Sequence, residues 1–365
     1  MPEIWLKYGN TEVVLDIKAE NLLDYVIEED QHMGEEEINV KLDSIAVNGS
    51  ARMVVLDPSL HTAKLTLLLA DSVKRRGVEN VAVDVPITTL NMYRSIFQDK
   101  NVLVSKLNDL SNLDNAILLS KTSFDPLFGY SGAPTHLLRY FGAEEMLDAY
   151  KARDGDMPRP GVANGALSIA HKFAEKLDAT SIESVVGGHG FVDIIINQPV
   201  NSHKGAITKL ESIGKVEVEK SKASIVSSGD GYSTLSYALN SLWNSLDAVK
   251  DDGTIALLAE CRDGFGSRAL QMLVEGKINM DGAYKPAEYI DGLENLLYLK
   301  EASEKYNISL VSALPDYYIK DRLGLKTFRR TKDVLHNMLN AYGPKQKVLV
   351  VSDASKVLLK HKMPN

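Results

Sequence analysis

Short apolar runs, each about the length of a strand, alternate with longer amphipathic stretches along most of the chain. This alternation is typical of parallel strands joined by crossover helices. It predicts an α/β fold of mostly parallel sheets with flanking helices. The predicted strands are 53–57, 81–85, 116–120, 193–197, 223–227, 254–260, 308–312 and 347–352. The predicted helices are 62–76, 90–98, 167–177, 235–249, 267–275 and 331–342, and one more that begins at His136.

The length of the chain predicts two domains, because 365 residues exceed what one ordinary hydrophobic core contains. The charge-rich stretch 211–222 is the predicted boundary, with the character of a solvated surface helix or a linker. The predicted domains are 1–220 and 221–347, each a mostly parallel sheet with flanking helices. The last segment, 348–365, is expected to be a candidate for return to the first domain. A cleft is expected between the domains.

Small and acidic residues follow most of the predicted strands. Open α/β sheets bind ligands in the crevice outside the carboxyl ends of their strands, so these residues are candidates for a binding site. Asp and Ser are also favoured as helix caps, and that alternative explains any one of these loops equally well. The segments concerned begin at Asp57, Asp84, Ser120, Ser228, Cys261 and Ser352.

Composition narrows the class of protein. Hydrophobic residues make up 44% and charged residues 25% of the chain, as in globular proteins. The net charge of −8 provides no basic surface for nucleic acid or an anionic membrane. No apolar run approaches the roughly 20 residues of a membrane span, and the first residues do not resemble a signal peptide. A cytoplasmic location is therefore expected. Cys261 is the only cysteine, which excludes an intrachain disulfide and a cysteine-built metal cage.

The segment 121–136 is the most informative part of the sequence. A predicted strand ends at Ser120, a loop follows that contains GYSG at Gly129 to Gly132, and a predicted helix begins at His136. Glycines on both sides of a serine let backbone amides approach a small ligand closely, with the start of a helix behind them.

This frame resembles the nickel-pincer lactate racemase family, whose loop reads H-x-x-x-G-[YF]-S-G-G-R-K. In that family the histidine takes part in proton transfer, and the lysine carries a covalently tethered nickel cofactor. Here Asp125 stands at the histidine position and Thr135 at the lysine position. The resemblance implies the fold of the family, whereas these two residues disfavour its cofactor.

The resemblance extends along nearly the whole chain at low specificity for each position. Asp57 falls where the family has the aspartate of D-x-T-R-P, and the segment 227–232 is similar to its S-N-G-G-Y loop. The segment 250–266 is similar to K-x-G-G-x-I-I-x-x-A-x-C-x-D-G-H-G, with strand and glycines in the same order.

The departures from the family pattern are systematic. The arginine of D-x-T-R-P, which binds an anion in the family, corresponds to Leu60 here. The strand end that carries the family's second catalytic histidine corresponds to residues 84–87, which contain no histidine. The residues Y, Q and K of the family's Y-Q-x-x-K helix face correspond to Leu239, Asn240 and Trp243 in this sequence. No histidine lies near Lys151, where the additional nickel ligand would fall. We therefore expect no tethered nickel cofactor and no nickel-dependent lactate racemase activity.

The candidate site residues come from these loops. Histidine titrates near neutrality and a buried carboxyl can work as a base or acid, while arginine matches the geometry of an anion. The alternatives are a cap of the turn before Pro126 for Asp125, packing for the tyrosines and plain surface positions for the arginines. The candidate catalytic residues are Asp57, His61, Asp125 and His136, with both histidines expected in loops beside the cleft. The candidate ligand-binding residues are Gly129, Tyr130, Ser131, Gly132, Asp230, Tyr232, Asn240, Arg262, Asp263 and Arg268.

Two further glycine motifs have weaker interpretations. Gly264 to Ala269 matches the dinucleotide fingerprint G-x-G-x-x-A, but no clear second strand closes a βαβ unit that ends in an acidic residue about 20 positions on, which favours a tight turn. Gly187 to Gly190 leads into a strand rather than a helix and is predicted to be a turn.

Two hypotheses about function remain open, with a third that is weaker. The first is a divergent enzyme, such as an isomerase or epimerase, acting on a small hydroxy- or sugar-acid without the tethered nickel cofactor. The second is a non-catalytic relative that binds a metabolite or a partner protein. The third is an NAD(P)-dependent oxidoreductase using Gly264 to Ala269. A small anionic metabolite is the expected partner, and a homo-oligomer is compatible with the sequence.

Overall fold

The structure is a computed structural model that describes residues 3–27, 31–47, 49–108, 113, 115–229 and 234–362. The strands are β1 (Glu3–Tyr8), β2 (Thr11–Asp16), β3 (Leu22–Val26), β4 (Ser50–Val55), β5 (Asn80–Val85), β6 (Leu103–Lys106), β7 (Ile117–Lys121), β8 (Ser123–Asp125), β9 (Gly129–Ser131), β10 (Thr180–Val186), β11 (Phe191–Asn197), β12 (Lys215–Val218), β13 (Ser221–Ser227), β14 (Val249–Leu258), β15 (Asn307–Val311), β16 (Lys326–Phe328), β17 (Val348–Val351) and β18 (Leu358–His361). The helices are α1 (Glu35–Asp43), α2 (Leu60–Arg75), α3 (Leu90–Ile96), α4 (Ala133–Phe141), α5 (Ala143–Lys151), α6 (Gly165–Ala174), α7 (Pro199–Gly214), α8 (Leu235–Trp243), α9 (Arg268–Val274), α10 (Leu293–Lys305) and α11 (Thr331–Tyr342).

Two six-stranded sheets form the framework. The first has the order β11-β10-β7-β4-β5-β6 and is parallel except for the antiparallel pair β10 and β11. The second has the order β16-β15-β14-β13-β17-β3 and is parallel throughout. The predicted α/β fold with mostly parallel sheets and flanking helices is confirmed.

The strands do not divide between the sheets at one point of the chain. β3 pairs with β17 in the second sheet, although it belongs to the stretch 1–220 that was assigned to the first domain. β17, from the segment 348–365, also lies in the second sheet, and β18 pairs with β12. We call residues 35–214 the first lobe and residues 3–26 with 215–362 the second lobe; the domain bounds themselves stay a prediction.

Several predicted elements have different bounds in the structure. α4 begins at Ala133 rather than at His136, since Pro134 fits the first turn of a helix, where its missing N–H costs nothing. The stretch 211–222 holds the end of α7 and the strand β12, because β18 provides a pairing edge that the charge pattern does not reveal. Gly187 to Gly190 is confirmed as a turn, in which the Gly187 amide donates to the Gly190 carbonyl over 2.9 Å.

The apolar face of each sheet is buried, and one cluster of buried side chains joins the two lobes. Phe128 and Leu138 of the first lobe belong to the same cluster as Leu296 and Tyr298 of the second. This shared core holds the carboxyl ends of the two sets of strands beside a common space. No helix in the described part of the chain is long and apolar enough to cross a bilayer.

Candidate functional site

A cleft of about 930 Å³ opens between the lobes, beyond the carboxyl ends of the strands. Its first wall follows β4, β5 and β7 and includes the start of α4, and its second wall follows β14 and includes the starts of α8 and α10. This volume is in the range of sites that enclose a small metabolite. The expected cleft is therefore present where the topology of an open α/β sheet favours a ligand.

Asp57 lies in the loop after β4 and its carboxylate is held by hydroxyl groups. Thr62 Oγ1 donates to Asp57 Oδ2 over 2.7 Å, and Ser59 Oγ donates to the same oxygen. Burial acts to raise the pKa of Asp57, but Lys121, His136 and the two hydroxyl groups together hold that pKa below its usual value. Asp57 is thus a buried, ionised carboxylate at the wall of the cleft.

His136 lines the cleft from the second turn of α4. Its imidazole forms no hydrogen bond with the described residues and stacks on the Tyr140 ring, with 6.4 Å between centroids. Burial lowers the pKa of His136 to about 4, against the opposing charge of Asp57. The imidazole is therefore neutral at neutral pH, and its ring nitrogens are available to a ligand.

Asp125 also lines the cleft, in the turn that follows β8. Its Oδ1 accepts hydrogen bonds from the amides of Leu127 and Phe128, both over 2.8 Å, so it does cap the turn as the alternative interpretation held. Burial raises the pKa of Asp125, and Arg139, with its Nη2 3.6 Å from Asp125 Oδ2, opposes that rise. One carboxylate oxygen therefore faces a guanidinium while the other fixes the loop.

Arg139 is the centre of a buried polar cluster that joins the lobes. Its Nη1 donates to Glu294 Oε1 and to the Tyr289 hydroxyl, each over 2.8 Å. Asp291 lies near the same guanidinium, and burial raises the pKa of its carboxyl despite that positive charge. The carboxyl groups of Asp125, Asp291 and Glu294 thus share one guanidinium, and Arg139 is the cation that keeps them together.

Glu183 is completely buried in β10 beneath the first turn of α4. Its Oε1 accepts the amide of Ala133 over 2.6 Å and its Oε2 accepts Thr122 Oγ1 over 2.8 Å. Burial raises the pKa of Glu183 to about 8. The side chain fastens the helix that carries His136 to the central strands of the first sheet.

Two further histidines, His171 and His203, lie beside the segment that leads into α4. His203 Nε2 is 3.1 Å from the carbonyl oxygen of Ser131, and His203 Nδ1 is 3.2 Å from His171 Nε2. A Cβ atom at Gly132 would lie 2.5 Å from the His203 ring, so only glycine leaves room for this packing. Burial lowers the pKa of His203 to about 3, which indicates a neutral packed imidazole.

The predicted ligand-binding residues separate into two groups. Ser131, Asn240, Arg262 and Asp263 line the cleft, as do the candidate catalytic residues Asp57, Asp125 and His136. Gly129, Tyr130, Gly132 and Arg268 are not among the lining residues. Asp230 and Tyr232 lie outside the described residues.

Packing explains why part of the GYSG loop, residues 129–132, does not line the cleft. The Tyr130 hydroxyl donates to Glu211 Oε1 over 2.5 Å and lies 2.8 Å from the carbonyl oxygen of Gly161, which fixes the ring away from a ligand. Gly129 has φ +84° and a Cβ there would lie 2.2 Å from the carbonyl oxygen of Val162. Gly129 and Gly132 are thus needed for close packing of the loop against its neighbours.

The two histidines predicted to lie in loops are both in helices. His136 is in α4, and His61 is in the first turn of α2, because Ser59 caps that helix by accepting the Thr62 amide. His61 is not among the residues lining the main cleft and instead lines a separate, smaller pocket with Lys121. Sequence reasoning missed Lys121, as well as Arg139 one helical turn beyond His136.

The loop from Gly264 to Ala269 packs against the start of α8. The carbonyls of Gly264 and Phe265 accept the amides of Leu235 and Ser236, and a Cβ at Gly266 would lie 2.4 Å from Thr234 Oγ1. Close packing against the start of α8 thus accounts for Gly266, whereas a φ of +86° accounts for Gly264.

Thr135 cannot anchor a cofactor in the way a lysine does. Its hydroxyl is buried and accepts the Gly132 amide over 3.0 Å, forming part of the cap of α4. Among the described residues, no lysine lines the main cleft and His136 is its one histidine. No group of three or more His, Cys, Asp or Glu side chains that could hold a metal ion occurs in the described ranges.

Comparisons with known proteins establish the fold. No protein-family model and no curated protein matches the sequence. The lactate racemase apoprotein from Thermoanaerobacterium thermosaccharolyticum matches with a TM-score of 0.76 at 16% identity, over 98% of this chain and 100% of that chain. A protein from Thermotoga maritima matches with a TM-score of 0.69 at 10% identity, over 92% of this chain and 100% of that one. The chain therefore has a lactate-racemase-like α/β fold, and the predicted resemblance is confirmed at the level of the fold.

Proposed function

We propose that the protein is an acid–base enzyme, of isomerase or epimerase type, that acts on a small hydroxy- or sugar-acid on a lactate-racemase-like scaffold. One observation carries the proposal. His136, neutral and without a hydrogen bond to the described residues, lines the same cleft as Asp125, whose pKa is raised by burial.

The two residues suit opposite roles in proton transfer. A neutral imidazole can accept a proton from the substrate, and a carboxyl whose pKa is raised can hold a proton and return it. The lowered pKa of His136 makes it a weak base in the empty cleft. An anionic substrate beside the ring would raise that pKa again, because a nearby negative charge favours the imidazolium form. In the reverse direction the two groups exchange roles.

The side chains of the cleft suit a hydroxylated ligand. Six carboxyl side chains, the amides of Asn240 and Asn295 and the hydroxyl of Tyr237 line it in the described part of the chain. Carboxylates accept hydrogen bonds from hydroxyl groups, and amides both donate and accept. A ligand with several hydroxyl groups would match the polarity of these side chains better than an apolar one.

The tethered nickel cofactor implied by the family resemblance does not fit these residues. The lysine that would carry it is replaced by Thr135, whose hydroxyl is already used in the helix cap. The proposed chemistry therefore uses the side chains of this chain alone.

Exchange of carbon-bound hydrogen with solvent tests the proposal. We would incubate the protein in D2O with lactate, glycerate and gluconate, each in turn, and follow the C–H signals by proton NMR. Wild type is expected to exchange at least one substrate, and His136→Gln to slow that exchange by about 100-fold or more. His336→Gln, on the exposed face of α11, is the control and should exchange like wild type.

Exchange that is equal in wild type and His136→Gln would contradict the proposal, as would no exchange with any of the acids. Binding without exchange, seen as a rise in melting temperature, would favour the second candidate, a non-catalytic metabolite-binding relative. The replacement of the family's lysine by Thr135 supports that candidate. A rise with NAD or NADP alone would favour the oxidoreductase.

A further inference from the structure

The apolar side chains that line the main cleft belong to the first lobe, with Tyr237 as the one exception among the described residues. They follow the neighbouring strands β7, β4 and β5 and are Pro58, Leu60, Met92, Pro126 and Tyr140. The second lobe otherwise contributes polar side chains and glycines. An apolar group of a ligand would therefore lie against the first lobe.

Three of these side chains, Leu60, Met92 and Tyr140, form what we call the apolar wall. Leu60 begins α2 and is 53% exposed, and Tyr140 in α4 is 40% exposed. The Tyr140 hydroxyl is already used, since it donates to the carbonyl of Leu56 over 3.0 Å, so the ring is what Tyr140 offers a ligand. Single exposed apolar side chains are ordinary on a protein surface, but several that line one cleft are typical of a ligand-binding site.

The apolar wall lies beside the proposed base. Tyr140 follows His136 by one turn of α4, and the two rings stack with 6.4 Å between centroids and 23° between planes. Aromatic rings and the methionine sulfur both form favourable contacts with an aromatic group, and Leu60 suits any apolar group. The wall therefore suits an apolar substituent close to the reacting carbon of the ligand.

The polar groups available to the acid end of a ligand lie on the second lobe. The side-chain amide of Asn240 and the guanidinium of Arg262 line the cleft and form no hydrogen bond or ion pair with the described residues. Arg139, by contrast, is held by Glu294 and Tyr289. A guanidinium can bind a carboxylate through two parallel hydrogen bonds, and an amide can bind a hydroxyl group. The acid end is thus placed across the cleft from the apolar wall.

The size of the cleft leaves room for such a substituent. Its volume of about 930 Å³ is near the upper end of the range of small-molecule sites. A three-carbon acid such as lactate would leave most of that volume to solvent.

We propose that the substrate is a hydroxy-acid with an apolar substituent, of the size of a benzyl or isobutyl group, that packs against Leu60, Met92 and Tyr140. The inference deepens the proposed function and rests on it for the hydroxy-acid part of the ligand. Lactate, glycerate and gluconate lack this substituent, so they would bind without filling the apolar wall.

Calorimetric titration of the whole protein with lactate and 3-phenyllactate, which differ only in the phenyl group, tests the inference. Wild type should bind 3-phenyllactate about tenfold or more tightly than lactate, because the bound ring is removed from water. Leu60→Ser and Met92→Gln should each lower this ratio of affinities about threefold or more. Leu103→Ser, at a 67% exposed position of β6 that does not line the cleft, is the matched control and should leave the ratio unchanged.

Two additions complete the experiment. Melting curves of all variants verify that they are folded. 2-Hydroxy-4-methylpentanoate, which carries an isobutyl group, distinguishes a branched alkyl substituent from an aromatic one.

The outcomes separate this inference from the proposed function. Tighter binding of either substituted acid than of lactate, with the expected dependence on Leu60 and Met92, supports the inference. Equal or weaker binding of both substituted acids would overturn it, as would a preference unchanged in both variants or absence of binding by all three acids. Hydrogen exchange with unsubstituted acids would leave the proposed function standing in those cases. Preferred binding with the expected dependence but without exchange would leave the apolar wall standing and remove the proposed function.

Discussion

Replacing Glu183 by glutamine should make the protein more stable at neutral pH. The buried carboxyl accepts the Ala133 amide and the Thr122 hydroxyl, and a glutamine can accept the amide through its oxygen and donate to the hydroxyl through its nitrogen. Its side chain has nearly the same shape. The substitution therefore removes a titration while leaving both contacts in place.

The magnitude follows from the pKa of Glu183, which burial raises from 4.5 to about 8. A carboxyl whose pKa is raised on folding contributes stability that is fully present below pH 4.5 and is lost as the pH rises toward 8. One pKa unit corresponds to about 1.4 kcal/mol, so wild type should lose roughly 2.7 kcal/mol relative to Glu183→Gln between pH 5 and pH 7. This loss of wild-type stability relative to Glu183→Gln should disappear as the pH falls to about 4.5.

Urea denaturation at pH 5, 6, 7 and 8 measures this difference in the free energy of unfolding. Glu12→Gln, on the exposed face of β2, is the control, and its stability profile should run parallel to that of wild type. If the profiles of Glu183→Gln and wild type were also parallel over this range, Glu183 would not be a buried proton-holding group and the reasoning would fail.

Three further predictions concern the residues around the cleft. Arg139→Met should lower the free energy of unfolding by about 3–5 kcal/mol in urea, because its buried carboxylate partners lose their cation, and part of the loss should be recovered below pH 5. Arg330→Met removes an exposed ion pair and should change the free energy of unfolding little. Equal effects of the two substitutions would contradict the prediction. Gly129→Ala should lower the melting temperature strongly, since φ is +84° and the Val162 carbonyl blocks a Cβ, whereas Gly324→Ala, also at positive φ but in open space, should cost only about 1 kcal/mol. The Cys261 thiol, whose pKa burial raises to about 12, should resist iodoacetamide at pH 8 until urea is added, and rapid labelling of the folded protein would be inconsistent with its burial.

The sequence predicts the parts of the site that depend on local pattern. The loop with GYSG follows a strand and precedes a helix, and both His136, at that junction, and Asp125, which the family resemblance singled out, line the cleft. Tyr130 has the same spacing, but its hydroxyl is bound by Gly161 and Glu211, and nothing local indicates those distant partners.

The residues that sequence reasoning missed depend on contacts between distant segments. Arg139 is recognisable only with Glu294 of α10, a helix whose apolar run was not predicted. β10 was missed because Glu183 interrupts its apolar pattern, and its burial is explained only by the amide and hydroxyl it accepts. Lys121 and Lys356 look like ordinary surface lysines in the sequence, and only the fold places them beside one pocket.

The pairing of β3 with β17 has a consequence for how the chain acquires its structure during synthesis. The first sheet takes all its strands from residues 50–197, so it can assemble while the rest of the protein is still being translated. The second sheet needs β3, at residues 22–26, beside β17, at residues 348–351. Residues 3–26 must therefore wait, with an apolar hairpin and an unpaired strand exposed, until β17 has been translated more than 300 residues later. The amino-terminal segment is where we expect a nascent chain of this protein to depend most on a chaperone.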